Sequence, residues 1–215
     1  MDKLTIALPK GRMFDPTVDI LSKAGIVNRE LDDDSRKLIL EDGELEIEFL
    51  LSKAVDVHTY VEHGVADIGI VGKDVLLEAG ANVYELLDLG ISTCRVVVAI
   101  PEETGITSLE ELPSTGRVAT KYVNLAQDFF DQQGIQIEIV KLNGSIEMAP
   151  LLGLSDMIVD ISSTGRTLRE NDLIEIAEIT QSSARLIANR VSYKTQHNRV
   201  KNIIDEVKKV TGNEE

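Results

Sequence analysis

The chain has no tryptophan, a single cysteine, three histidines and only 4% aromatic residues in its 215 positions. Each scarcity removes a class of explanation. The lone Cys94 excludes an internal disulfide and a thiolate zinc cluster, and the expectation for it is a buried, inert thiol. Three scattered histidines with one cysteine suggest no dedicated metal site, and His58 reads as a surface helix residue. No run approaches the roughly 18 to 20 apolar residues that cross a bilayer, and the first residues enter a strand-like segment without the apolar stretch of a secretory signal. No membrane partner and a cytoplasmic location are therefore expected, and the Asn143-Gly144-Ser145 glycosylation sequon then has no chemical consequence. Cations are scarce too. With 22 Lys and Arg against 37 Asp and Glu, the formal charge of -15 repels phosphate backbones at long range, so no nucleic-acid partner is expected.

Hydrophobic residues make up 43% of the chain, enough to bury a core in one large domain or two small lobes. Apolar β-rich runs at 4–8, 67–71, 95–100, 117–120, 136–142 and 157–161 read as strands. Between them lie helical patterns, the first opened by Asp15-Pro16 and stopped at Gly25, then 54–63, 73–79, 124–133 and 145–152. This alternation predicts an α/β architecture with largely parallel sheets. Residues 38–51 alternate around Asp42-Gly43 and predict an antiparallel hairpin at a sheet edge. Val200, Ile203, Ile204, Val207 and Val210 recur at helix spacing, so a C-terminal helix should pack on the body and the tail 212–215 should fray.

The sharpest chemical signal is the run from Asp156 to Leu168, a buried strand entering the hydroxyl-rich glycine loop Ser162-Ser163-Thr164-Gly165-Arg166-Thr167 that opens a helix. Such a loop aims backbone N–H groups, hydroxyls and a positive helix end at one point, which suits a phosphate. Gly165 allows close backbone approach, and Asp160 ends the strand where it can accept hydrogen bonds from ribose hydroxyls. An ordinary capped strand-to-helix connection shares the pattern. A second signal, Leu8-Pro9-Lys10-Gly11-Arg12, straddles a glycine with two cations at the carboxyl end of a strand, where open α/β sheets bind ligands; a solvated basic turn would look alike. The third, Gly69 to Asp74, approaches a nucleotide P-loop but carries aspartate where the first glycine and the magnesium-holding hydroxyl belong. No GxGxxG follows any strand, so P-loop and dinucleotide folds are both set aside.

In order and over most of the chain, LPKGR at 8–12, DIGIVGKDVL at 67–76, ATKY at 119–122 and LNGSIEMAPLLGLSDMIVDISSTGRTLRENDL after 141 resemble the ATP phosphoribosyltransferases. The resemblance implies two α/β lobes with a cleft between them, like type II periplasmic binding proteins, with residues 1–90 and 180–215 as one lobe and 91–179 as the other. It places Ser162 to Thr167 on the 5'-phosphate of phosphoribosyl pyrophosphate, with Asp160 and Glu147 on the ribose side. It gives Lys10, Arg12 and Arg36 the catalytic contacts to polyphosphate. Gly11, Lys53, Gly72, Lys73, Asp74, Arg95, Thr120, Lys121 and Tyr122 fall to ATP or pyrophosphate. Lys53 stands where relatives carry arginine, and lysine lacks the planar two-pronged grip of a guanidinium.

The implied reaction is attack by N1 of the ATP adenine on C1 of phosphoribosyl pyrophosphate, releasing pyrophosphate. Adenine N1 already offers a lone pair, which accords with a sequence poor in histidine and lacking an evident base. Magnesium is expected to arrive on substrate phosphates. Long-form relatives carry a C-terminal domain that senses histidine; short-form relatives associate with a separate regulatory subunit resembling histidyl-tRNA synthetase, and that hetero-oligomer is the implied partner here. Two other readings stay open at this point: a non-catalytic binding protein of the same two-lobed shape, and a phosphoribosyltransferase acting on a free base.

Overall fold

The computed structural model describes residues 3–28, 31–43 and 45–212. The chain runs β1 (Leu4–Lys10), α1 (Phe14–Lys23), β2 (Ile39–Asp42), β3 (Ile47–Lys53), α2 (Val57–Glu62), β4 (Ile68–Gly72), α3 (Lys73–Ala79) and β5 (Tyr84–Asp88). It continues through β6 (Cys94–Pro101), β7 (Thr115–Thr120), α4 (Val123–Gln133), β8 (Gln136–Lys141), α5 (Met148–Leu151), β9 (Met157–Ser162) and α6 (Arg166–Glu170). The last elements are β10 (Leu173–Ser182), β11 (Ala184–Ala188), α7 (Ser192–Thr195) and α8 (His197–Thr211). Two compact units result, one of residues 1–76, 80–92 and 183–215, the other of 77–79 and 93–182.

The first unit is built on a sheet of order β2-β3-β1-β4-β11-β5. Leu4, Ile6, Ala7 and Leu8 of β1 are all buried, because helices cover both faces of this central strand. Leu4, Ile6 and Leu8 each contribute about 1.5 to 3 kcal/mol by leaving water, and the smaller Ala7 less. Gly69 on β4 has a packing reason: a Cβ there would stand 2.7 Å from Val61 Cγ2 and 2.8 Å from Val57 Cγ1, so the missing side chain is what lets α2 lie down on the strand. The hairpin around Asp42-Gly43 is present, with β2 antiparallel to β3 at the sheet edge. The helix expected at the C-terminus, α8, sends Val200, Ile203 and Val207 into the same core as Phe14, Phe49 and Ile70. Beyond Gly212, the tail expected to fray lies outside the described residues.

The second unit carries a sheet of order β10-β6-β9-β7-β8. Val96, Val98 and Ile100 pack into one core with Phe130 and Met157, while Val97 and Ala99 pack into the opposite one with Ile146 and Leu168. Burial on both faces explains the unbroken apolar run of β6.

Three expectations need correction. The sheets are mixed: four of the nine strand pairings are parallel, because β6, β10 and β11 run against their neighbours as the chain passes from one unit to the other. α1 starts at Phe14 rather than after an Asp15 cap; Gly11 turns at φ +83 and its carbonyl accepts the Phe14 N–H at 2.8 Å, which begins the helix early. α5 is shorter than the pattern at 145–152, since Ser145 sits at φ +48, outside helical geometry. No helix among the described residues is long and apolar enough to cross a membrane.

Candidate active site

In the second unit, β7 and β9 are parallel, so their carboxyl ends share one edge, and the antiparallel β6 brings its amino end there. Asp160 lies on β9 with Lys121 Nζ at 3.9 Å, and Lys121 also lies 4.8 Å over the Tyr122 ring. The Thr120 hydroxyl is fully buried; it donates to the Val159 carbonyl at 2.7 Å and accepts the Tyr122 N–H at 2.8 Å. Its work is therefore to shape the turn into α4. Past Ser162, the chain bends through Ser163 and Thr164 to Gly165 at φ +70, and α6 begins.

Among the described residues, the N–H groups of Ser163, Thr164 and Gly165 have no acceptor, so the loop presents a row of unused donors beside the Thr164 hydroxyl. Arg169 Nη2 reaches back to the Thr164 carbonyl at 2.9 Å and braces this bend. Arg166 pairs with Glu170 at 2.7 Å, and the Thr167 carbonyl accepts the Asn171 side chain. α6 spans barely more than one turn, which leaves the loop amides, not a helix dipole, as the principal anion-attracting groups. Glu147, half-buried at the start of α5, has no partner among the described residues. Arg95 does not stand open. It lies opposite Ser162 in the β6–β9 register and pairs with Glu175 at 2.8 Å and Glu178 at 3.4 Å. Glu175, with Glu178 adding to it against the opposing effect of burial, raises the Arg95 guanidinium above its ordinary pKa.

In the first unit, β3, β1 and β4 are parallel and end at one edge. Lys10 and Lys53 are directly opposite in register, so Lys53 stands beside the LPKGR turn. Lys10 Nζ donates to the Ser35 carbonyl at 3.2 Å, and the Gly11 N–H is shared between the two carboxylate oxygens of Asp33 at 3.1 and 2.9 Å. These bonds draw the 31–38 segment, with the exposed Arg36, against the exposed Arg12 turn. Gly72 precedes α3, Lys73 pairs with Glu85, and Asp74 is buried. Lys10, Gly11, Arg12, Arg36, Lys53, Gly72 and Lys73 thus belong to one sheet edge, and Arg95, Thr120 to Tyr122, Asp160 and Ser162 to Thr167 to another.

His58 lies half-buried on α2, with its Nε2 3.3 Å from the Thr59 hydroxyl. The residues that pattern-reading missed are carboxylates and a brace: Asp33, Glu175, Glu178 and Arg169. The three carboxylates act by pairing distant in sequence, while Arg169 lies within the SSTGRTLRENDL stretch and reaches back five residues to Thr164.

Two mixed α/β units, one of them carrying a hydroxyl and glycine loop after the strand that holds Asp160, define an α/β protein of the two-lobed type II periplasmic-binding-protein fold. A family model described as ATP phosphoribosyltransferase matches residues 53–209. The ATP phosphoribosyltransferase of Halothermothrix orenii is 49% identical over 219 residues, covering 100% of this chain and 98% of the relative. The ATP phosphoribosyl transferase (HisG:HisZ) complex from Thermotoga maritima superposes with a TM-score of 0.84 at 34% identity, covering 98% of this chain and 100% of that one. The periplasmic aliphatic sulphonate binding protein SsuA from Escherichia coli shares the fold at 13% identity and a TM-score of 0.63, covering 98% of this chain and 73% of that one. The chain belongs to the ATP phosphoribosyltransferase family.

Proposed function

We infer that this protein transfers the phosphoribosyl group of phosphoribosyl pyrophosphate to N1 of ATP and releases pyrophosphate, the first step of histidine biosynthesis. The observation that carries the reading is the Ser162–Thr167 loop, which follows the strand holding Asp160 and whose N–H groups at Ser163, Thr164 and Gly165 have no acceptor among the described residues, in a chain of this family. In this reading the loop takes the 5'-phosphate, and Asp160 with Glu147 holds the ribose hydroxyls as acceptors. Lys10, Arg12 and Arg36 stabilise the charge that grows on the departing pyrophosphate as its bond to C1 breaks. Adenine N1 attacks with its own lone pair, so no side chain has to remove a proton. The chain's task is to hold two polyanions in line and to answer developing charge.

Magnesium enters with the substrate phosphates, as an ion that keeps water and phosphate oxygens for most of its ligands. Among the described residues, no three carboxylate, histidine or cysteine side chains cluster as a ready-made cage. The match to the Thermotoga maritima HisG:HisZ complex, which covers 98% of this chain and 100% of that one, supports a separate regulatory subunit as partner, of the histidyl-tRNA-synthetase-like kind in this reading. Mixing the protein with ATP, phosphoribosyl pyrophosphate and magnesium, with and without such a subunit, tests the proposal. Formation of N1-phosphoribosyl-ATP is expected; its absence in both mixtures overturns it.

A further inference from the structure

Beneath the phosphate loop sits a carboxylate, where a negative charge opposes the ligand proposed above. Glu175 Oε1 accepts the Ser162 hydroxyl at 2.7 Å, and Oε2 pairs with Arg95 at 2.8 Å. The same Oε1 lies 3.3 Å from the place a Cβ on Gly165 would occupy, so the side chain touches both ends of the bend. It is neither surface decoration nor fully buried, with 24% of the side chain exposed. Two consequences follow from the donor directions. The Ser162 proton is spent on Glu175, so Ser162 braces the loop instead of donating to a phosphate. Arg95 meets two carboxylates, Glu175 and Glu178, and lends the loop little net positive charge.

We propose that Glu175 is a positioning residue for the Ser162–Thr167 loop: it fixes the loop through Ser162 while neutralising Arg95, and thereby sets how strongly the loop attracts a phosphorylated sugar. The inference rests on the function proposed above. It makes the two substitutions diverge, one tightening binding and the other not, which a merely structural side chain would not. Glu175→Gln keeps an oxygen for the Ser162 hydroxyl but removes the charge, so the loop stays fixed and Arg95 turns partly toward the ligand. Glu175→Ala removes charge and tether together.

The test is calorimetric titration of the full chain with magnesium phosphoribosyl pyrophosphate at two salt concentrations, with circular dichroism as a check on folding. Removing one charge near a dianion under near-aqueous screening should tighten binding of Glu175→Gln by about three- to tenfold, less so at high salt. Losing the tether should leave Glu175→Ala about tenfold weaker than Glu175→Gln, the worth of one hydrogen bond. Should Glu175→Ala fail to fold, the comparison of Glu175→Gln with the unaltered chain decides alone. Unchanged or weaker binding by a folded Glu175→Gln overturns the proposal while leaving the enzyme's function in place. If the unaltered chain takes up no phosphoribosyl pyrophosphate, the functional reading falls and the role of Glu175 with it.

Discussion

Gly165 offers the most direct test of the phosphate loop, because its substitution can be costed from the geometry. It sits at φ +70, where a residue with a Cβ is strained by roughly 1 to 2 kcal/mol. A methyl group there would stand 2.7 Å from Arg169 Nη1 and 3.3 Å from Glu175 Oε1. Arg169 is the far end of a flexible chain and can retreat. In doing so it surrenders its 2.9 Å bond to the Thr164 carbonyl, worth about 1 to 2 kcal/mol for an exposed charged donor. The loop of Gly165→Ala should then be disfavoured in its present shape by about 2 to 4 kcal/mol, a loss of roughly 30- to 1000-fold in affinity for phosphoribosyl pyrophosphate. Calorimetry reads the affinity, and a thermal melt separates a local change from global unfolding. Gly144→Ala is the control: its φ is ordinary, nothing lies within 4 Å of the added methyl, and neither measurement should move. Affinity within twofold of the unaltered protein for a folded Gly165→Ala would refute the assignment of this loop.

Other consequences can be measured independently. Arg36→Ala should lower kcat by about 10² with a smaller rise in KM, because charge on pyrophosphate grows as the bond to C1 breaks; a pure KM effect counts against that role. Burial pushes the Asp88 carboxyl up, but the Gly90 N–H, the Ser183 hydroxyl and Arg185 together outweigh it and hold the group below the usual carboxylate range. A depressed carboxyl stabilises the fold above its unfolded pKa and loses that contribution as pH falls through the folded value, so Asp88→Asn should melt earlier at neutral pH and converge with the parent in acid. With 43% of the Asp88 side chain exposed, solvent screening limits the difference to about 1 kcal/mol or less. The purified chain alone should be weakly active and nearly indifferent to histidine, since an effector without differential binding to two states shifts no equilibrium; full activity with tight histidine inhibition from this chain alone would contradict the need for a partner.

Much of the fold was legible because its strands are buried on both faces and so read as short apolar runs. β1, β4, β6, β9 and the carboxyl half of β7 fall on such runs, the edge strand β8 shows instead through its alternation of exposed and half-buried residues, and the Asp42-Gly43 hairpin follows from its turn residues. β10 escaped for a physical reason. Its register against β6 slips between Glu175 and Ala177 and again between Glu178 and Thr180, so apolar residues at 173, 174, 176, 177 and 179 keep no period of two. β5, with only Leu87 fully buried among its five residues, lacks the continuous apolar run that β4 carries at the same length. In the candidate site, the loop and the LPKGR turn were visible because glycines, hydroxyls and cations cluster locally in sequence. Their partners were not: Asp33 is 22 residues from Gly11, and Glu175 is 13 from Ser162. Pairings of that kind are set by sheet order and loop closure, about which a single sequence says little.

Those partners also bear on how so acidic a chain holds two polyanions. The cations at the two sheet edges are mostly engaged already: Lys73 with Glu85, Lys121 with Asp160, and Arg95 with Glu175 and Glu178. Lys10 leans on a carbonyl, and the Gly11 amide is taken by Asp33. Binding a phosphate at such a position exchanges one anion for another, so each contact gains less than an open cation would. Arg12 and Arg36 differ, being exposed and without a carboxylate partner among the described residues. In the proposed reading, such an arrangement holds ground-state attraction down and leaves Arg12 and Arg36 uncommitted for the charge that appears as pyrophosphate departs. Interactions stronger in the transition state than in the bound substrate are the ones that raise kcat, which is why Arg36 should show its effect there and Glu175 in binding.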